Sequence, residues 1–336
     1  MANLKTTYMG LELKNPIIAG ASNLMKDLDK VKEIEKAGAS ALVFKTLFEE
    51  QINLESAQMD DDLSLYNERY GEMISMHPHL EHAGPKEHLM HLKKVKEAVD
   101  IPVFASLNAI FKETWVEYAQ ELEKVGIDGL ELNFYAVPKK LEEEGVSIEE
   151  KQLNVIEAVK SAVSIPVSVK LSPFYSNPLN IIYKMDKQQV DGFVLFNRFF
   201  EPEINVEKEE MEFPFNLSSP GDYRLALRYA GLLHGQLNGS VCSSTGIMDG
   251  KDVLRMLLAG ADVVQVVSTL YKNKIGQVDT MLKEIEKWMD DRGYSSLDEF
   301  KGKLSRKQLK DPFVYQRAQY VDIIMNPQGV IKNFPV

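Results

Sequence analysis

The segment KVGIDGLELN, residues 124–133, carries the pattern that decides the fold. A helix end is followed by a tight turn and then by a short apolar strand. The same order recurs in SAVSIPVSVK (161–170) and LLAGADVVQV (257–266). Short apolar runs of this kind are PIIAGA (16–21), ALVFKT (41–46), PVFASL (102–107), GLELNF (129–134), PVSVKL (166–171), GFVLFN (192–197), GSVCSS (239–244) and DVVQVV (262–267). Such runs, rich in Val, Ile, Leu and Phe, are typical of parallel strands buried on both faces.

Amphipathic helix patterns lie between these runs. In DLDKVKEIEKAGA, the apolar residues Leu28, Val31 and Ile34 share one stripe, and Gly38 is a suitable C-terminal cap. Strand and helix alternating eight times predict an α/β protein of the TIM (β/α)₈ barrel type. A doubly wound open sheet is the alternative.

Three segments fall outside the repeat. Residues 5–15 predict an N-terminal β-hairpin around Gly10 that closes the bottom of the barrel. Insertions follow the second strand, at residues 47–85, and the sixth strand, at residues 198–218. Apolar and charged residues alternate in the second insertion, which predicts a β-hairpin there. Both insertions would lie at the C-terminal face, where barrel enzymes carry their chemistry. We expect residues 1–290 to form the barrel and residues 291–336 to form a helical extension packed on it.

Composition excludes several classes of function. The chain has 336 residues and a net charge of −11, which argues against a nucleic-acid partner because phosphate binding needs a basic patch. No apolar run approaches the roughly 18–20 residues of a membrane span, and no secretion signal is apparent, so we expect a cytoplasmic protein without membrane association. The single cysteine, Cys242, is expected to be a buried structural thiol, and we predict no metal site.

Polar residues end almost every apolar run. Lysine is costly to place near a core unless an anion or an electron-rich ring is its partner, and both Lys45 and Lys170 end strands. Thr245 and Gly246 close the seventh strand and a helix is expected near Asp249, while Ser268 and Thr269 follow the eighth strand. Barrel enzymes commonly hold a phosphate with these two loops. The ring of strand ends therefore predicts a phosphorylated flat cofactor such as a flavin, beside a small-molecule substrate.

The motifs NPIIAGAS, LVFKT, FASLN, LELNF, VSVKLSP, FNR and STGIMDGKDVLRMLLAGADVVQVVSTL occur in that order along most of the chain. In this order and spacing the chain resembles the dihydroorotate dehydrogenase family, FMN-containing barrels that oxidise dihydroorotate to orotate in pyrimidine synthesis. The resemblance assigns the flavin ring and its surroundings to Ala19, Gly20, Lys45, Asn108, Asn133 and Lys170. It assigns the phosphate to Gly246, Ile247, Ser268 and Thr269, and the substrate to Asn133 and Asn197.

The substrate half of the family's pattern is altered. Family members carry a Cys or Ser base where this chain has Ala136, in Asn133-Phe134-Tyr135-Ala136-Val137-Pro138. The substrate-gripping loop of the family has no clear counterpart in residues 60–85. After Asn197 the expected Ser is replaced by Arg198, which is suited to bidentate contact with a substrate carboxylate.

Three hypotheses follow from this comparison. The first is an FMN oxidoreductase acting on dihydroorotate or a near relative, with Tyr135 or a residue of the 47–85 loop as the base. A tyrosine with an ordinary pKa of about 10 is a poor base at neutral pH. The alternative role for Tyr135 is to form a wall of the pocket. The second is an FMN oxidoreductase for another substrate, and the third is a non-catalytic flavin- or phosphate-binding barrel. The electron acceptor is not identified by the sequence, and the resemblance implies a homodimer.

Overall fold

Eight parallel strands form a closed barrel in the computed structural model, which describes residues 2–49, 86–135, 140–198, 201–212, 214 and 217–325. Two short strands, β1 (Thr6–Tyr8) and β2 (Leu11–Leu13), precede the barrel. The barrel strands are β3 (Ile17–Ala19), β4 (Ala41–Phe48), β5 (Val103–Asn108), β6 (Gly129–Asn133), β7 (Val167–Leu171), β8 (Gly192–Leu195), β11 (Ser240–Ser244) and β12 (Val263–Val266), and β12 pairs with β3 to close the ring. The predicted barrel is confirmed, and the open sheet is excluded.

Helices surround the strands and bury their apolar stripes against them. They are α1 (Leu28–Lys36), α2 (Lys86–Ala98), α3 (Lys112–Lys124), α4 (Gly145–Ala162), α5 (Pro178–Lys187), α6 (Arg224–Leu233), α7 (Gly250–Ala259), α8 (Ser268–Lys272) and α9 (Gln277–Asp290). In α1, Val31 and Ile34 are fully buried and Asp27 caps the first turn, as the amphipathic pattern predicts.

Three aspartates in turns between a helix and a strand connect neighbouring strands of the barrel. Asp128, Asp191 and Asp262 each stand immediately before a strand, at the amino-terminal end of the barrel. Each carboxylate accepts a backbone N–H from one of the first two residues of the preceding barrel strand: Val103 N to Asp128 at 2.7 Å, Val167 N to Asp191 at 2.8 Å and Val241 N to Asp262 at 2.8 Å. Each also pairs with a lysine, namely Lys96, Lys160 and Lys301. The aspartates thus tie neighbouring strands together at their starting points.

The N-terminal hairpin closes the bottom of the barrel, as expected. Tyr8 and Met9 are buried against interior residues of the barrel that include Phe104 and Val194. The backbone N–H of Met9 donates to Ser240 Oγ at 3.2 Å. The hairpin therefore fills the end of the barrel at which the strands begin.

The two insertions follow β4 and β8, at the carboxyl ends of the strands. Residues 50–85 of the first lie outside the described residues. The second contains the predicted hairpin, with β9 (Glu203–Asn205) antiparallel to β10 (Glu210–Glu212).

Beyond α9, residues 291–325 contain 3-10 turns at Leu297–Glu299 and Phe313–Tyr315 and one α-helix, α10 (Ala318–Met325). The division of the chain at residue 290 stays a prediction. Across the described ranges, no helix has both the length and the apolar character needed to cross a membrane.

Candidate active site

A cavity of about 490 Å³ opens at the carboxyl ends of the barrel strands. Its volume falls in the range of small-molecule sites. The predicted site residues that line it are Lys45, Asn133, Tyr135, Lys170, Asn197, Arg198, Gly246, Ile247 and Ser268. Three of them, Lys45, Asn133 and Lys170, lie on strands, and the others follow the ends of strands. They converge because the carboxyl ends of all strands, and the loops that follow them, lie on one face of the barrel.

Four other predicted residues are not part of the lining. Ala19 is fully buried in the hydrophobic core between the strands and the helices. The side chain of Asn108 donates to the carbonyl of Asn133 at 2.7 Å. Thr269 donates to the carbonyl of Met248 at 3.0 Å. Gly20 adjoins Gln265, and a Cβ there would lie 2.8 Å from Val267 Cγ2. These residues shape the backbone that surrounds the cavity.

Two asparagines form a polar wall of the cavity. Asn197 Nδ2 donates to Asn133 Oδ1 at 2.6 Å, which fixes both carboxamides. Among the described residues, Asn133 Nδ2 and Asn197 Oδ1 have no hydrogen-bond partner, so the wall offers an NH₂ group and a carbonyl oxygen to a ligand. This arrangement suits a planar molecule with both N–H and C=O groups on one edge.

Two lysines, Lys45 and Lys170, line the cavity. Lys170 is half-buried and lines the cavity, and within the described part of the chain its ammonium makes no hydrogen bond or ion pair. Beside Lys45, burial lowers the pKa of His88 to about 4, and the positive charge of Lys45 adds to this effect. The His88 ring is therefore neutral at pH 7. A lysine at this position suits an anionic or electron-rich ligand.

Ser218 joins the two loops predicted to bind phosphate. Its hydroxyl donates to Ser268 Oγ at 2.7 Å and accepts the backbone N–H of Gly246 at 3.1 Å. Lys272 donates to its carbonyl at 2.8 Å. Sequence reasoning missed this residue; the small, polar stretch Ser218-Ser219-Pro220-Gly221 at the end of the insertion was the available signal.

The start of α7 follows Asp249, as predicted, and two of its first three backbone N–H groups have partners within the protein. Asp249 accepts from the N–H of Asp252 at 2.8 Å, and Glu284 accepts from the N–H of Gly250 at 2.7 Å. The backbone N–H groups of Ile247 and Ser268 have no partner in the described ranges. Donors for an anion are therefore available in the turn after β11 and at Ser268, which follows β12 and begins α8.

Arg198 contacts a carboxylate of the protein itself. Its Nη1 donates to Asp222 Oδ2 at 2.5 Å, and the same oxygen accepts the N–H of Ser219 at 2.9 Å. Arg198 is thus fixed in the wall of the cavity, beside the loop that carries Ser218. Ala136, at the position expected for the base, lies outside the described residues, as does the 60–85 segment.

The sequence of the chain is similar to those of known proteins. The sequence profile of the family described as dihydroorotate dehydrogenase matches residues 3–289. Similar proteins include the catalytic subunits named dihydroorotate dehydrogenase B (NAD(+)) from Thermoplasma volcanium and Pyrococcus furiosus. The first is 25% identical over 90% of this chain and 98% of the relative, and the second is 26% identical over 89% and 98%. The protein of the same name from Methanocaldococcus jannaschii is 27% identical over 80% of this chain and 87% of its own.

Proposed function

Because the chain belongs to the dihydroorotate dehydrogenase family, we propose that it is an FMN-dependent oxidoreductase that oxidises dihydroorotate or a related dihydropyrimidine. The observation that carries the proposal is the cavity with Lys170 at one side and the Asn133–Asn197 pair at another. A cation beside the pyrimidine end of a flavin favours the reduced form, and paired carboxamides suit a planar substrate.

The residues present fit FMN. Gln265, which lines the cavity, has a buried side-chain oxygen without a partner among the described residues, and Lys170 offers a cation. The turns at Gly246–Ile247 and Ser268, joined through Ser218, would hold the phosphate, while Lys45, Asn133 and Lys170 would border the ring. When bound, FMN supplies the hydride acceptor of the reaction.

The protein must also take a proton from the substrate. The family resemblance places that base at Ala136, where no proton can be accepted. Tyr135 lines the cavity one residue earlier, so we propose it as the candidate base in the described part of this loop. Asn133 and Asn197 orient the substrate edge, since each carboxamide is fixed by the other.

Arg198 favours a second candidate function. An ion pair with Asp222 stands where the family carries a serine beside the substrate, which changes both the size and the charge of that wall. We propose as the alternative an FMN oxidoreductase whose substrate is a small molecule other than dihydroorotate.

The relatives are named as the catalytic subunit of dihydroorotate dehydrogenase B (NAD(+)). We propose that this chain is likewise a catalytic subunit, and that it passes electrons from FMN to a partner. The homodimeric state and the cytoplasmic location remain proposals that rest on the sequence and the family resemblance.

The test is an anaerobic flavin assay on the purified protein. After incubation with FMN and gel filtration, we expect retained absorbance at about 450 nm, a property of the cofactor itself. Dihydroorotate should bleach it slowly, and Ala136→Cys should raise the bleaching rate, since a general base contributes roughly 10²–10⁴-fold. Titration with orotate, followed by the flavin spectrum, controls for binding.

Each outcome of this assay decides between the candidates. Absence of bound FMN contradicts both oxidoreductases. Bound FMN without orotate binding favours the alternative substrate. Fast bleaching by the unmodified protein supports dihydroorotate as the substrate and shows that a residue other than one at position 136 is the base.

A further inference from the structure

A carboxylate is buried in the barrel directly beneath the cavity. Glu131 on β6 is 2% exposed, and it lies two residues before Asn133, which lines the cavity. Because side chains alternate along a strand, both residues face the barrel interior, with Glu131 one step deeper. An unpaired charge in a protein core is strongly unfavourable, so a buried carboxylate is expected to have a specific interaction partner.

Glu131 fixes the orientation of a neighbouring carboxamide. Gln265 on β12, 1% exposed, donates from Nε2 to Glu131 Oε2 at 2.6 Å. The reversed orientation would set the amide oxygen against the carboxylate, because only Nε2 can donate. Gln265 Oε1 is therefore held as an acceptor near Gly20, and it has no partner among the described residues. The second carboxylate oxygen, Glu131 Oε1, is likewise unpartnered there.

The charge of Glu131 opposes that of Lys170 across the barrel interior. Burial raises the pKa of the Cys242 thiol, the negative charge of Glu131 raises it further, and the positive charge of Lys170 lowers it. Both charges thus act on one point in the interior. No ion pair joins Glu131 to Lys170 in the described ranges, so neither charge is neutralised by direct contact.

We propose that Glu131 is a positioning residue of the flavin site, which fixes the Gln265 carboxamide in the wall of the cavity and offsets the charge of Lys170, thereby setting the reduction potential of the bound flavin. This inference rests on the proposed function. A reduced flavin carries more negative charge than an oxidised one, so a buried carboxylate beneath it favours oxidation, whereas Lys170 favours reduction. Because water is excluded around Glu131, its field is weakly screened.

The experiment is a redox titration of the FMN-loaded protein against a reference dye. Glu131→Gln keeps the side-chain volume and removes the charge. We expect the ratio of reduced to oxidised flavin at a fixed potential to rise about tenfold, which corresponds to a shift of about +30 mV for a two-electron couple. Glu131→Met is a second neutral variant and should shift the potential in the same direction.

Asp186→Asn provides the matched control. Asp186 is also a buried carboxylate, 4% exposed, but it accepts backbone N–H groups of Asn238 and Gly239 just before β11, at the far end of the barrel. This variant should lose stability and keep the flavin potential of the unmodified protein.

The outcomes separate this inference from the function on which it rests. If the unmodified protein binds no FMN, the proposed function fails and this inference fails with it. If neutral variants bind FMN with an unchanged potential, only this inference is overturned. Loss of flavin binding or of folding in both variants would also overturn it, because Glu131 would then serve binding or stability rather than potential.

Discussion

Gly246 is the residue whose backbone geometry most directly shapes the proposed phosphate site. Its φ of +72° follows a φ of +76° at Thr245, so the chain turns sharply where β11 ends. A Cβ at position 246 would lie 2.5 Å from the backbone nitrogen of Tyr223. Both the left-handed conformation and the close approach therefore require glycine.

We expect Gly246→Ala to weaken FMN binding at least tenfold and to cost about 1–3 kcal/mol of folding stability, because the turn must move away from Tyr223. Flavin fluorescence titration and thermal unfolding measure the two effects. Gly276→Ala is the control, since no atom lies within 4 Å of a Cβ there and the backbone φ is −58°. Equal FMN affinity in the Gly246 variant and the unmodified protein would contradict the assigned role of this turn.

Sequence alone identified some residues of the cavity and missed others for a physical reason. Lys45, Lys170 and Asn133 were predicted because they stand where apolar runs end, and the carboxyl ends of barrel strands lie on one face. Gln265 also lines the cavity, and it was detectable as the polar residue within the apolar run VVQVV. Ser218 was missed because its place beside the cavity depends on how the insertion after β8 folds back over the barrel, which the small, polar stretch around it does not specify.

At the scale of elements, an aspartate before a strand stabilises the preceding strand of the barrel. Asp191, just before β8, accepts the N–H of Val167 at the start of β7 and pairs with Lys160 at 2.6 Å. The sequence showed the turn but not the contact, which spans 24 positions along the chain. Local patterns predict helices and strands, whereas the partner of a side chain depends on the closed barrel.

We expect Asp191→Ala to lower the free energy of unfolding by about 1–3 kcal/mol, because the Val167 N–H loses its acceptor and Lys160 loses its partner. Urea unfolding measures the loss. In the control Asp279→Ala, the lost ion pair with Lys283 is exposed and should cost less than about 1 kcal/mol. FMN binding should survive both changes, since Asp191 lies at the end of the barrel away from the cavity. Similar losses in the two variants would refute the assigned role of Asp191.

At the scale of the whole molecule, the segment after α9 donates hydrogen bonds to backbone carbonyls at the C-terminal ends of two barrel helices. The N–H groups of Gly302 and Leu304 donate to the carbonyls of Leu257 and Leu258 in the last turn of α7, each at 2.8 Å. Arg306 N donates to Gly231 in the last turn of α6 at 2.9 Å. Carbonyls at helix ends lack intrahelical partners, so this segment completes the outer layer of the barrel.

The sequence predicted the closed barrel because eight buried runs separated by helices have few other solutions. It did not predict these contacts of the tail. They are made by backbone groups, which carry no residue-specific signal, and Leu297 and Phe300 become recognisable as core residues only once α7 and α9 are in place.

Truncation tests the contribution of this segment. Removal of residues 293–336 should lower the melting temperature by roughly 10 °C or more, because Leu297 and Phe300, both 1% exposed, are lost from the core together with the bonds to α6 and α7. Removal of residues 312–336 is the matched control: it keeps these contacts and should have the smaller effect. Thermal unfolding by circular dichroism, with FMN retention as a second readout, compares the two proteins. If the longer truncation melts at the temperature of the shorter one, the segment from 293 to 311 adds nothing to the stability of the barrel, and the contacts of Gly302, Leu304 and Arg306 are incidental.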